Sequence, residues 1–167
     1  MKQEDKQRNN ELARKLLAEQ NFAVAVIVGA IATLLAAATY GIVTATWNFS
    51  SGFAAAGIGI VVGISMQYSG RGIKTKFAVV AAAYTIAGCL LGNLFRVLTQ
   101  QVRENAISPF EVLRIREFAE LAGRSVEYIS FVALLFWLVA VWFAVFLVMR
   151  PLSRPEKLAI GLYEMKD

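Results

Sequence analysis

Four long stretches of this chain carry no charged residue, and that fact limits its fold more than any other. They are Phe22–Thr46, Phe53–Ser69, Phe77–Phe95 and Ile129–Met149. As helices they reach roughly 37, 25, 29 and 31 Å, against a bilayer hydrocarbon core of roughly 30 Å. Inside a bilayer the backbone polar groups must bond within their own segment, so such runs become transmembrane helices. The composition agrees: 57% of the 167 residues are hydrophobic and only 17% are charged. A single soluble domain of this length does not hide that much apolar surface, and disorder requires low hydrophobicity. The expected fold class is all-α, an integral membrane protein of four transmembrane helices. The second stretch is short and weakened by its glycines and by Gln67, so a re-entrant hairpin is the alternative there.

Topology follows from where Lys and Arg fall. The N-terminal segment carries Lys2, Lys6, Arg8, Arg14 and Lys15, while the first loop, Trp47–Gly52, carries none. The second loop carries Arg71, Lys74 and Lys76, and the tail carries Arg150, Arg154, Lys157 and Lys166. Arg96, Arg103, Arg114, Arg116 and Arg124 fall between the third and fourth spans. With both termini cytoplasmic, twelve of the 17 basic residues lie inside and five outside; the acidic residues divide seven and five. The whole net charge of +5 then sits on the cytoplasmic side. The expected location is a bacterial cell inner membrane, where that side meets anionic lipid worth about 1 kcal/mol per surface Lys or Arg. The organisation is a basic N-terminal helix over residues 1–21, a transmembrane domain over 22–149 and a cytoplasmic tail over 150–167. The N-terminal segment does not read as a signal peptide, because its polar leader is long and mixed in charge.

The segments outside the spans have their own signals. Ser108-Pro109-Phe110-Glu111 reads as a capping box with proline at the first helical position. Val112, Ile115, Ala119 and Ala122 follow at helical spacing, with Gly123 as the expected stop. This predicts a short amphipathic helix over about residues 109–122 in the outer loop. Glu111/Arg114, Arg116/Glu120 and Glu120/Arg124 are spaced to pair. A lid or a docking surface is the functional reading, and burial of its own apolar stripe explains the helix without one. On the cytoplasmic side, Lys6 to Glu19, with Leu12, Leu16 and Leu17, reads as a polar extension of the first span. Ser153-Arg154-Pro155-Glu156 is a second capping box, opening a helix with Leu158, Leu162 and Met165 on one face.

Small residues mark how the spans associate, because membrane helices pack by close approach and not by hydrophobic contrast. The first span has one at every fourth position: Ala25, Gly29, Thr33, Ala37, Gly41 and Ala45. The second has Ala55, Gly59 and Gly63, and the third has Gly88 and Gly92 with Ala81 and Thr85 on the same face. The fourth is bulky, with Phe131, Phe136, Trp137, Trp142, Phe143 and Phe146. The expectation is a tight core of spans one to three, with span four peripheral and facing lipid or another protein. Trp137 and Trp142 lie away from the interfacial belt, and each indole N–H wants an acceptor, which favours a protein partner there. Polar residues within the spans are few. Thr33 and Thr85 fall at similar depth, which would allow a shared hydrogen bond. Gln67 and Asn93 lie near opposite faces. These four are candidate pore lining, or simply interhelical and helix-backbone bonding.

The chemistry that is absent narrows the function. There is no histidine and a single cysteine, Cys89. No P-loop, GxSxG or acidic metal cluster occurs, so no catalytic, cofactor or metal residue is expected. A proton-coupled pump needs a titrating residue within a span. The basic residues are interleaved with acids and carry no nucleic-acid fold, so no nucleic acid is expected as a partner.

One stretch is familiar. Gly57-x-Gly59-x-x-x-Gly63, then Gly70-Arg71-Gly72, Phe77 and Gly88-Cys89-Leu90-Leu91-Gly92-Asn93 resembles a run common in small uncharacterised bacterial multi-spanning membrane proteins. It spans residues 57–93 of 167. The resemblance implies a hairpin of spans two and three with Gly70 and Gly72 shaping its turn, and it implies no activity. The expected role is non-catalytic: a self-associating membrane protein, a homo-oligomer, or an accessory subunit of a larger complex. The rival is a homo-oligomeric passive channel for ions or small solutes lined by Thr33, Gln67, Thr85 and Asn93. A lipid-modifying enzyme lacks a nucleophile or base.

Overall fold

The computed structural model describes residues 3–47, 51–105, 108–115, 118–127 and 129–164. Eight helices occur among them: α1 (Gln3–Ala18), α2 (Phe22–Trp47), α3 (Ser51–Gly70), α4 (Thr75–Asn105), α5 (Pro109–Ile115), α6 (Phe118–Glu127), α7 (Phe131–Val148) and α8 (Arg154–Glu164). Four of these, α2, α3, α4 and α7, are long and apolar enough to cross a membrane. They pack as a ring in which α2 touches α3 and α4, and α7 touches α3 and α4. Helices α3 and α4 also meet across the centre.

The second span is longer than its apolar run. Helix α3 is one continuous helix of 20 residues, about 30 Å at the standard rise. That length removes the re-entrant alternative. The third is longer still: α4 has 31 residues and continues past Phe95 to Asn105. Its polar extension keeps Leu94, Val97, Leu98 and Val102 on one side, where they meet Val112 of α5 and Leu121 of α6. This second small core holds the α4–α7 connection against the bundle.

The fourth span is the least buried of the four, as its bulk predicts, yet it also packs on both α3 and α4. Helix α7 turns Ala133, Trp137, Ala140, Ala144 and Val148 inward against α3 and α4. The bulky aromatics concealed this small-residue face. Trp137 is thereby part of the main core, whereas Trp142 is 60% exposed.

The N-terminal helix does not extend α2. It ends at Ala18, and Asn21 opens a new helix by accepting the Val24 N–H on its side chain at 3.1 Å. Helix α1 instead lies on α8. Ala13 and Leu16 on one side, and Ala159 and Ile160 on the other, are buried. Leu158 is exposed, so the face expected for the tail helix is displaced; Met165 lies outside the described residues, as does the side chain of Leu162.

Between α4 and α7, Ser108 and Glu111 cap one another. The Ser108 N–H donates to Glu111 Oε2 at 2.9 Å, and the Glu111 N–H donates to Ser108 Oγ at 3.3 Å. Gly123 does not stop a helix, since α6 runs through it to Glu127. No glycine has positive φ among the described residues, so the αL cap that would have used it is absent. Glu120 and Arg124 pair at 3.3 Å. Arg116 lies outside the described residues, as do the side chains of Arg114 and Ile115.

Candidate functional site

Helix seams built from small residues are the most specific feature of the bundle. Every small residue of the α2 series, from Ala25 to Ala45, is buried. Gly29 faces Met66 of α3, and a Cβ there would stand 2.8 Å from the Met66 side chain. Gly41 faces Phe95 and the backbone of Arg96 on α4. From α4, Gly88 receives Ile58 and Thr33, and Gly92 receives the ring of Tyr40. On α3, Gly59 lies against the backbone of Ala140, and Gly63 against Ala144 and Leu147. Glycine is required at such seams because the facing atoms occupy the place of a side chain.

The four polar span residues are drawn into this packing. Thr33 and Thr85 are buried but share no bond. Thr33 Oγ1 donates to the Gly29 carbonyl at 2.7 Å, and Thr85 Oγ1 donates to the Ala81 carbonyl at 2.8 Å. A threonine hydroxyl on a helix reaches its own preceding turn without any movement of the neighbour. Asn93 meets a residue that spacing did not single out: its Oδ1 accepts the Tyr40 hydroxyl proton at 2.9 Å. A second tyrosine, Tyr84, donates to the Val26 carbonyl at 3.1 Å. Gln67 Nε2 donates to the Met149 carbonyl at 3.2 Å, tying α3 to the end of α7.

The two ends of the bundle are fastened differently. At one end Arg103 of α4 donates to the Ala45 carbonyl at 2.8 Å, occupying an orphan acceptor in the last turn of α2. At the other end, three connecting segments converge. The Asn21 N–H donates to the Gly70 carbonyl at 3.1 Å, and the Arg150 N–H to the Gly72 carbonyl at 2.9 Å. Glu19 lies 2.9 Å from Arg150 and 3.5 Å from Arg71, and Arg150 is 3.9 Å from Glu156. This ion knot joins the α1–α2 link, the α3–α4 turn and the α7–α8 link at one end.

The turn glycines act by proximity and not by backbone freedom. Within this turn the residue with positive φ is Arg71, at 47°, between two glycines whose own φ values are ordinary. Gly70 is hemmed in by Ala25 and Phe77, and Gly72 by the Phe77 ring. Phe77 is fully buried there and meets Phe22 edge-on, with ring centroids 5.3 Å apart.

The knot is titratable. The hydrogen bond from Arg150 holds the Glu19 carboxyl below its ordinary value against some desolvation, and the charges of Arg150, Arg71 and Lys15 act the same way. Backbone and hydroxyl donation from Ser153 lowers Glu156 similarly. A carboxylate with a depressed native value stabilises fully above its unfolded value, about 4.3 for glutamate, and loses that effect as the pH falls below it. Melting in detergent should therefore separate the wild type from Glu19→Gln at pH 7. The two curves should converge at acid pH; a gap that persists through the acid range would show that Glu19 does not act through its charge.

Together these features define a multi-pass helical membrane protein. Neither a family model, nor a curated protein, nor a solved structure matches the chain.

Proposed function

We propose that this chain is a non-catalytic inner-membrane protein that associates with copies of itself, or serves as an accessory subunit of a larger membrane complex, through the outer face of α7. The observation that carries this reading is the division of α7 into two faces. Small residues turn inward, while Phe131, Leu135, Leu138, Trp142 and Phe146 recur at spacings of three and four and are all exposed. Trp142 and Phe146 stack with centroids 5.6 Å apart and planes 10° from parallel. Most of the Trp142 surface is therefore directed outward within a span, where hydrocarbon offers its indole N–H no acceptor. A protein neighbour supplies both an acceptor and a surface for the stacked rings.

Conduction is the weaker reading. Thr33, Gln67, Thr85 and Asn93 all bond within the chain. The outward faces that would line a lumen between copies carry residues such as Ile27, Ile31, Leu34, Val79, Ile86 and Leu138.

Photo-crosslinking from Leu138 in intact membranes tests the association. A product of twice the chain's mass, or a single larger adduct, is expected from position 138 and not from Ile31 on the exposed side of α2. Equal yields at both positions would contradict the assignment of the α7 face.

Both termini are assigned to the cytoplasm, with the α5–α6 segment outside. The excess of Lys and Arg around the ion knot supports that sense, since short cytoplasmic segments retain positive charge. A reporter active only in the periplasm should be silent when fused after Asp167, and activity there would invert the topology.

A further inference from the structure

The charges at the knotted end do not all find partners. Arg71 and Arg150 share Glu19, and Arg150 also meets Glu156. Beside them a groove of about 730 Å³ opens between the α3–α4 turn and α8, and its charged lining is Lys74, Lys76 and Lys157. No ion pair neutralises these lysines among the described residues. The remaining lining includes Ile73, Leu152 and Ile160. Lys76 is held in place, its Nζ 4.4 Å from the centre of the Phe22 ring. The cation–π contact orients that ammonium without cancelling its charge.

Position gives the groove a meaning. It lies just beyond the end of α3, the start of α4 and the end of α7, which is the level of the lipid headgroups if these helices span. Three cations over an apolar floor at that depth match one kind of ligand. We infer that this groove binds the headgroup of an anionic phospholipid, with the phosphate among Lys74, Lys76 and Lys157 and the glycerol and upper chains on Ile73, Leu152 and Ile160. The apolar floor favours a lipid over a free phosphate. This inference rests on the transmembrane placement of the bundle and is independent of whether copies associate.

Native mass spectrometry of the purified protein, released from micelles doped with phosphatidylglycerol or phosphatidylcholine, tests it. The wild type should retain phosphatidylglycerol in preference to phosphatidylcholine. Lys74 and Lys157 are exposed and make no ring contact, so Lys74→Gln with Lys157→Gln leaves the Phe22 contact intact. At about fivefold per surface lysine, the pair should weaken retention about thirtyfold. Arg8→Gln with Arg14→Gln removes the same charge from exposed positions on α1 and should change retention little. Equal losses in both double variants would overturn a defined site and leave only diffuse attraction. Equal retention of the two lipids would overturn charge recognition. Inorganic phosphate in excess should leave the lipid bound relative to chloride at equal ionic strength, and displacement would assign the groove to a soluble phosphate instead. The same spectra report chain number. Phosphatidylglycerol held on a lone chain would uphold the groove while contradicting self-association.

Discussion

Replacing Gly59 by alanine should destabilise the bundle by about 1–3 kcal/mol, the usual range for forcing a methyl group into a packed interior. The same replacement at Gly57 should leave stability unchanged or raise it by up to about 1 kcal/mol, because alanine is the better helix former. The two glycines are two residues apart on α3 and differ in what faces them. A Cβ at Gly59 would overlap the Ala140 carbonyl of α7, whereas nothing lies within 4 Å of one at Gly57. Backbone does not rotate aside as a long side chain does, so α3 and α7 must separate. Thermal melting of the two variants in the same detergent makes the comparison. Equal melting temperatures would show that the α3–α7 seam is looser than described.

Phe77→Ala should have the largest effect of any single truncation, about 3–5 kcal/mol, the range for removing a buried aromatic ring. Phe77 is the largest of the fully buried side chains. Its ring fills the corner made by Phe22, Gly70 and Gly72, where three chain segments meet. The glycines cannot collapse onto the space, because they have no side chains to move. Phe77→Leu keeps most of the volume and should cost less than about 1.5 kcal/mol. Phe110→Ala removes the same ring from an exposed site and should alter melting little. If Phe77→Ala melts like Phe110→Ala, the corner is not a packed core.

What the sequence makes legible here is set by what distinguishes inside from outside in a bilayer. Both surroundings are apolar, so the contrast that reveals the buried face of a soluble helix is lost, and size is what remains. The four-residue series from Ala25 to Ala45 marks the buried face of α2 plainly, because small residues fill it without interruption. Helix α7 hides the same device. Ala133, Ala140 and Ala144 stand among large aromatics, and Trp137 interrupts the series, so size alone misdirects. Span number is legible because charge is excluded from the runs. Span length is not, because Leu94, Val97, Leu98 and Val102 continue α4 among polar residues, where amphipathic spacing and not hydropathy is the signal.

The ion knot and the break before α2 are long-range facts. Glu19 reads as one charge on a mixed helix until Arg150 is brought beside it from the far end of the chain. Tyr40 escapes notice for the same reason: its hydroxyl has a purpose only once Asn93 is opposite. The threonines take the simpler of the two options their positions offer, bonding to their own helix backbone. Depth places Thr33 and Thr85 together, but each hydroxyl has a nearer acceptor in its own helix.

The most direct test of association through α7 is the mass of the particle extracted from its own membrane in a lipid-retaining polymer disc, without detergent. More than one copy of the 18.3 kDa chain, or one copy with a second membrane protein, is the expected result, and Trp142→Ala with Phe146→Ala should release the lone chain. A single chain with no companion, in the wild type, would contradict it.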